Sequence, residues 1–169
     1  LRGVRRIMAQ SMRKSHEQVV AVTVVDDAYL HQWQGQNDIT IRIIRALIAG
    51  CHAEPALNAW FDGDSLSVAI QKNIHVGLAM DSDDGLFVPV IKNTDQLSPT
   101  ALREIIQRYK QQVRDRSIPQ DELQGSTIML SNFGVFAGKY ANPIIVPPNV
   151  AILGVGRLRE TPIVNNGVV

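Results

Sequence analysis

Hydrophobic residues recur every three or four positions in three parts of the chain, and this spacing predicts three helices. The first covers Arg2–Ser15. The second opens at Asp38 and ends before Pro55, and the third begins at Ser98-Pro99, where serine can cap a helix that proline starts. The residues expected to face the core are Val4, Ile7, Met8 and Met12 in the first helix, Ile41, Ile44, Leu47, Ile48 and Cys51 in the second, and Leu102, Ile105, Ile106, Tyr109 and Val113 in the third.

Apolar and β-branched runs outside these helices predict about eight strands. Asp62-Gly63 is a turn signal after Trp60, and the acidic turn Asp81–Gly85 joins two further runs. Asn165-Asn166-Gly167 predicts a hairpin turn and, after it, a further strand that begins at Val168. The strand-like runs are Val19–Val25, Leu66–Ile70, Ile74–Met80, Leu86–Ile91, Thr127–Leu130, Val150–Val155 and Thr161–Val164.

Helices and strands do not alternate strictly, so the pattern predicts an α/β fold of the α+β type, with helices packed on a mixed sheet. A chain of 169 residues that is 45% hydrophobic suits one globular domain over residues 1–169. Its net charge of +1 is not that of a nucleic-acid binder, and no apolar run is long enough to span a membrane. The single cysteine, Cys51, excludes an internal disulfide and a CxxC metal pair.

Several local motifs have a simple structural explanation. Gly154-Val-Gly156 lacks the third glycine of a dinucleotide loop. The four histidines form no close ligand pair, and His75 suits a packed strand position better than a general base. The acidic turn is too short for a calcium loop. Pro89 interrupts an apolar run, which predicts an edge strand or a bulge, and such features often border functional sites.

Ser131-Asn132 ends the apolar run Thr127–Leu130 and opens a polar loop that contains glycine. A serine at the end of a buried strand usually caps a turn. The alternative is that Ser131 is a hydrogen-bond donor held beside a reaction. Both interpretations remain open on these residues alone.

Three segments, RGVRRIMAQSM, NIHVGLAMDSDDGLFVPVIKN and LSNFGVFAGKYANPIIVPPNVAILGVG, together resemble the catalytic domain of the dihydrolipoamide acyltransferases. These are the core components of 2-oxo acid dehydrogenase complexes. The resemblance runs from Leu1 to Val169, and GKYANPIIVPP looks more like the acetyl and branched-chain members than the succinyl ones. It implies the fold of chloramphenicol acetyltransferase and homotrimers that build a hollow cubic or dodecahedral core, with active sites in channels between subunits.

The resemblance also implies transfer of an acyl group, above all acetyl, between dihydrolipoamide and coenzyme A. Coenzyme A would be a substrate, the lipoyl group would be carried on a separate domain, and no metal would take part. The partners would be the 2-oxo acid dehydrogenase and dihydrolipoamide dehydrogenase components. Ser131 falls on the family's serine that stabilises charge on the thioester oxygen, and Asn132 would support loop geometry. The residues expected to line or support the substrate channel are Gly85, Leu86, Phe87, Val88 and Pro89.

One feature of the family is missing from the sequence. The catalytic histidine belongs to an HxxxDG motif, which these 169 residues do not contain. We therefore expect a domain truncated at its C-terminus, with lipoyl and subunit-binding domains upstream of this chain. Two alternatives remain: a non-catalytic scaffold that assembles the complex, and a coenzyme A or anion-binding module unrelated to lipoyl chemistry. The expected compartment is a bacterial cytoplasm or a mitochondrial matrix.

Overall fold

A computed structural model of the chain describes residues 2–33, 35, 38–136 and 138–162, with only the backbone of Val4. Its α-helices are α1 (Gly3–Gln18), α2 (Ile39–Ala53) and α3 (Pro99–Arg114). Its short 3-10 helices are His31–Trp33, Pro55–Leu57, Thr94–Gln96 and Gln120–Leu123. Its strands are β1 (Ala59–Asp62), β2 (Ser67–Ile70), β3 (Val76–Leu78), β4 (Met80–Ser82), β5 (Gly85–Phe87), β6 (Val90–Ile91), β7 (Ile128–Asn132) and β8 (Ile152–Val155).

The second and third predicted helices are confirmed, together with their N-terminal caps. The Asp38 carboxylate accepts from the Ile41 amide at 3.2 Å, and the Ser98 hydroxyl accepts from the Ala101 amide at 3.2 Å. Each side chain pairs an amide that the first turn of the helix leaves without a backbone partner. The predicted inner faces of both helices are buried, except that Ile105 is half-buried.

The first predicted helix is confirmed as a helix, but its apolar face is not buried. Ile7 is 64% exposed, while Met8 and Met12 are half-buried. The spacing of apolar residues determines which face of a helix is apolar, and it does not determine what covers that face.

The central sheet is mixed, as predicted, with the strand order β6-β3-β7-β8. Strand β3 is antiparallel to β6 and parallel to β7, and β7 is parallel to β8. The edge position predicted from Pro89 is confirmed, because β6 follows this proline at one edge of the sheet. Strands β1 and β2 form one separate hairpin, and β4 and β5 form another.

Helices α2 and α3 pack on one face of this sheet and form the core with it. Ile44, Leu102, Val76, Ile91 and Leu130 are all buried there. The Tyr109 hydroxyl of α3 donates to the Val90 carbonyl at 2.9 Å, which ties the helix to the edge strand. Burial raises the pKa of Tyr109, so the phenol remains a neutral donor.

A buried polar cluster connects the β1–β2 hairpin to the central sheet. The Asn58 amide donates to the carbonyls of Gln71 and Asn73 at 2.9 and 3.1 Å, and its oxygen accepts from the Thr127 hydroxyl. Thr127 in turn accepts from the His75 amide at 2.9 Å. Each buried polar group in this cluster therefore has a partner, as burial requires.

Two strand predictions are not confirmed. Val19–Val25 belongs to no strand and no helix of the described structure, so its prediction as a strand is wrong for this chain. A strand needs a neighbour for its backbone groups, and composition alone does not supply one. Thr161 and Pro162 are outside any strand, while Ile163–Val169, with the predicted Asn165–Gly167 turn, lie outside the described residues.

Replacing Asn58 by alanine should lower the free energy of unfolding by about 1–3 kcal/mol, because it removes a hydrogen-bond donor from two part-buried carbonyls and leaves the Thr127 hydroxyl with only the His75 carbonyl, at 3.3 Å, as acceptor. Urea denaturation followed by circular dichroism measures this. Asn73→Ala is the matched control, because Asn73 is exposed and takes part only through its backbone carbonyl. Equal stability of the two variants would contradict a structural role for the cluster.

Candidate functional site

Ser131 lies near the end of β7, on the face of the sheet opposite the two core helices. Its neighbour Leu130 belongs to the core, and side chains alternate between the two faces of a strand. Ser131 is half-buried, and its hydroxyl has no hydrogen-bond partner within the described part of the chain. The hydroxyl is therefore available to donate to a bound molecule.

The neighbouring strand places a glycine beside Ser131. Gly154 of β8 is its register partner. A Cβ at Gly154 would lie 2.8 Å from Pro143 Cγ and 3.1 Å from Phe133 Cε1, which is too close for an unchanged structure. Glycine at this position thus lets two rings approach the sheet next to the serine.

The loop after β7 packs against the end of β8 through backbone contacts. We call residues 133–139 the serine loop; Ala137 lies outside the described residues. A Cβ at Gly134 would lie 2.7 Å from the Gly156 oxygen and 2.8 Å from Arg157 Cα. A Cβ at Gly156 would lie 2.9 Å from the Gly138 and Lys139 oxygens. The serine loop and the end of β8 approach so closely at these two positions that a side chain would not fit.

Hydrogen bonds hold the same two segments together. The Phe133 amide donates to the Val155 carbonyl at 3.0 Å, and the Arg157 amide donates to the Gly138 carbonyl at 2.8 Å. The Arg157 Nε group also donates to the Gly134 carbonyl, at 3.0 Å. Both ends of the serine loop are therefore fixed to the end of β8.

Asn132, predicted to support loop geometry, is exposed at the last position of β7. Its side-chain oxygen accepts from the Gly134 amide at 3.4 Å, a long hydrogen bond that spans the first turn of the serine loop. The role of Asn132 in the site, whether for loop geometry or for catalysis, stays a prediction.

An ion pair joins the end of the serine loop to the extended segment after α1. Lys139 Nζ lies 2.9 Å from Asp27 Oδ2. The hydrogen bond from Lys139 lowers the pKa of Asp27, and the same bond raises the pKa of Lys139. Both groups face solvent, so water and salt screen this pair and it contributes little to stability.

The predicted channel segment Gly85–Pro89 contains β5 and the turn into β6. Gly85, Leu86 and Phe87 pair with β4 in a hairpin, where Leu86 is exposed. Val88 is half-buried. Pro89 is fully buried, and its carbonyl accepts from the Leu78 amide at 2.8 Å. Within this segment, Phe87 is the residue that faces an open groove.

That groove has a volume of about 630 Å³ and lies between the start of α1 and the β4–β5 hairpin. Arg2 and Arg5 are exposed on its wall and form no ion pair with any described residue. Arg116, on another side, pairs with Asp84. The groove thus has an aromatic ring and two unpaired arginines near the start of α1, which suit an anionic ligand there, and two carboxylates, Asp83 and Asp84, at the β4–β5 turn.

Ser131 and the β4–β5 hairpin lie at the same end of the sheet. Leu78 pairs with Leu130, and the Ala79 amide then donates to the Leu130 carbonyl at 3.0 Å. The next residue, Met80, is the register partner of Phe87. The structure thus brings the two predicted site segments near each other, but Ser131 does not line the groove.

No histidine contacts Ser131 within the described residues. His75 Nδ1 accepts from the Asn93 amide at 2.9 Å, and the residue lies half-buried just before β3, so its predicted place within a strand is wrong. His16, His31 and His52 are exposed. Among the residues described, no cluster of histidine, cysteine and carboxylate side chains could hold a metal ion, and none of the helices could cross a membrane.

Sequence reasoning missed Arg157 and the roles of Gly134, Gly154 and Gly156. The signal in the sequence is GVGR, which follows a strand but lacks the third glycine of a dinucleotide loop. The contact between residues 134 and 157 joins positions far apart in the chain, so no local pattern predicts it.

Solved structures similar to this chain include catalytic cores of 2-oxo acid dehydrogenase complexes. A truncated catalytic core from Thermoplasma acidophilum is 30% identical with a TM-score of 0.87, and the match covers 95% of this chain and 80% of that one. Azotobacter vinelandii dihydrolipoamide acetyltransferase, studied for the role of one serine, one histidine and one asparagine in its catalytic mechanism, is 25% identical with a TM-score of 0.90. That match covers 96% of this chain and 72% of the Azotobacter chain. The fold is thus the predicted chloramphenicol acetyltransferase-like one.

Residues 1–169 match the family described as 2-oxoacid dehydrogenases acyltransferase (catalytic domain), and the chain belongs to this family. The lipoamide acyltransferase component of the Pseudomonas aeruginosa branched-chain alpha-keto acid dehydrogenase complex is 33% identical over 98% of this chain. The Staphylococcus aureus dihydrolipoyllysine-residue acetyltransferase component of the pyruvate dehydrogenase complex is 35% identical over 74%. The matched regions span 42% and 29% of the lengths of these two relatives.

Gly134→Ala should lower the free energy of unfolding by about 1–3 kcal/mol, the usual cost of forcing a methyl group into a packed site. The cause is the contact of the new Cβ with the Gly156 carbonyl. Urea denaturation measures the change. Gly63→Ala is the control, since a Cβ there meets only Phe61 Cε1 at an ordinary 3.8 Å. If Gly134→Ala were as stable as this control, the close packing of the serine loop would be disproved.

Proposed function

We propose that this chain is the acyl-transferring domain of a protein that moves an acyl group, above all acetyl, between dihydrolipoamide and coenzyme A. The observation that carries the proposal is the unpaired Ser131 hydroxyl at the end of β7, in a chain that matches the acyltransferase family over its whole length. The names of the bacterial relatives support the reaction class. Those same relatives favour a bacterial cytoplasm as the place of action.

In this reaction a general base removes the proton from the attacking thiol. The thiolate sulfur forms a bond to the thioester carbonyl carbon, and the carbonyl electron pair moves to the oxygen. The Ser131 hydroxyl donates a hydrogen bond to that oxyanion and so stabilises the transition state. The intermediate then collapses, the original carbon–sulfur bond breaks, and the leaving thiolate takes the proton from the base.

The base comes from outside the described part of the site. None of the four histidines contacts Ser131 in the described structure, and the sequence contains no HxxxDG motif. We infer that a histidine beyond these residues, on the same or a neighbouring subunit, completes the site. Asn132 would then hold the first turn of the serine loop and leave the chemistry to Ser131.

We infer that the segment Gly85–Pro89 borders the channel through which coenzyme A enters. Its Phe87 ring lines the groove together with Arg2 and Arg5. Phosphate groups favour arginine partners, and an aromatic ring can stack on an adenine base. The rest of the segment would support this wall, with Pro89 buried beneath it.

We also infer that copies of the chain assemble as homotrimers within a larger core. Val20, Val22 and Val24 are 96, 84 and 89% exposed, and Ile7 on the apolar face of α1 is 64% exposed. Apolar surface of this extent usually marks an interface. One solved structure with this fold, 25% identical, is the cubic core of a pyruvate dehydrogenase complex. The expected partners remain the 2-oxo acid dehydrogenase and dihydrolipoamide dehydrogenase components.

The alternative function is a non-catalytic scaffold of the same complex. The observation that favours it is the absence of a histidine beside Ser131 within the described residues. The two functions differ in one assay, because a scaffold would assemble the complex without transferring acetyl groups.

Ser131→Ala in the full-length protein should lower kcat by roughly 10²–10³, the usual loss for one oxyanion donor, because the substituted side chain cannot donate to the developing charge. Acetyl transfer from acetyl-coenzyme A to dihydrolipoamide measures kcat.

Ser117→Ala serves as the control, because Ser117 is exposed and its hydroxyl contacts no described group. A normal kcat for Ser131→Ala would exclude the proposed role of this serine. An assembled wild-type protein with no transfer activity would instead favour the scaffold.

A further inference from the structure

The apolar residues at the tip of the serine loop do not hold it in place. Val135 and Phe136 are 80 and 71% exposed, so they bury little surface against the rest of the chain. A segment with few buried apolar contacts usually opens at a low cost in free energy. The conformation of the tip must therefore depend on the contacts at the base of the loop, where Phe133 is half-buried and hydrogen bonds join the loop to the end of β8.

Arg157 makes two of these contacts, and one of them uses its side chain. Its amide donates to the Gly138 carbonyl, and its Nε group donates to the Gly134 carbonyl. The side chain thus holds the start of the serine loop while the backbone holds its end. Arg157 forms no ion pair with a described carboxylate. Among the described residues, its guanidinium therefore bonds to the Gly134 carbonyl alone.

The bonded carbonyl is close in sequence to the candidate oxyanion donor. Gly134 follows Ser131 by three residues, and the Asn132 side chain spans the turn between them. Movement of the Gly134 peptide would therefore be transmitted to the last residues of β7. Misplacement of a reacting group by about 1 Å can cost about 10²-fold in rate.

We propose that Arg157 is a positioning residue for the acyl transfer, acting through the serine loop to orient the Ser131 hydroxyl. This role rests on the proposed function. It requires no contact between Arg157 and either substrate, so its loss should change kcat without changing substrate affinity. It also requires that Arg157 act only through Ser131.

The test compares Arg157→Met with Arg159→Met in the full-length protein. Methionine keeps much of the apolar stem and removes the Nε donor. Arg159 is the matched control, because it is exposed, lies two residues away and makes no described hydrogen bond. We expect Arg157→Met to lower kcat about tenfold, with KM for both substrates unchanged, since only orientation is disturbed.

A double-mutant cycle separates positioning from general damage. In a Ser131→Ala background, Arg157→Met should cause no further loss of kcat, because the hydroxyl that it orients is already absent. Equal losses in both backgrounds would overturn the proposal, and so would a raised KM with normal kcat, which would indicate direct substrate binding.

Hydrogen exchange gives a readout that does not depend on activity. Amides of residues 133–139 should exchange faster in Arg157→Met and at the wild-type rate in Arg159→Met. Unchanged exchange in Arg157→Met would overturn the role of Arg157 in holding the loop. If the wild-type protein transfers no acyl group, the proposed function fails and with it the catalytic purpose, while the exchange data still decide whether Arg157 fixes the loop.

Discussion

The register of β7 between its two parallel neighbours is the constraint on which the candidate site depends. Pairing with β3 and β8 buries Leu130 under the helices, and the two-residue period of a strand then places Ser131 on the opposite face. A slip of one residue would exchange these two side chains and bury a hydroxyl in the core. The energy of apolar burial therefore determines where the serine points.

Close contacts between backbone segments determine the shape of the surface around Ser131. Gly134, Gly154 and Gly156 lack side chains where the serine loop and the Pro143 ring approach β8. A side chain at any of them would separate the segments that surround Ser131. These glycines allow neighbouring segments to come close together. They do not provide an unusual backbone conformation, since none of the three has the positive φ that favours glycine over other residues.

The sequence allows prediction of features whose causes are local. Asp38 and Ser98 are capping residues next to periodic apolar runs, and Pro89 predicts an edge strand from its missing amide hydrogen. Val19–Val25 has the composition of a strand, but pairing depends on a neighbour that composition does not reveal. Arg157 and Gly134 meet across 23 positions, so their hydrogen bond follows from the fold. The resemblance of whole segments to a family indicated Ser131, which local reasoning left between a turn and a donor.

Two features of the chain are incomplete in the same physical sense. The Ser131 hydroxyl has no hydrogen-bond partner among the described residues, and the valines after α1 are exposed to solvent. A half-buried hydroxyl without a partner can still meet water, so the isolated chain tolerates it at little cost. A segment whose side chains are apolar on both faces of an extended backbone is typical of a strand covered on both sides. Each feature is weakly determined in the single chain, and an element that covered it would make it specific. The proposed completion of the site by a second element would account for the lack of a base beside Ser131 among the described residues.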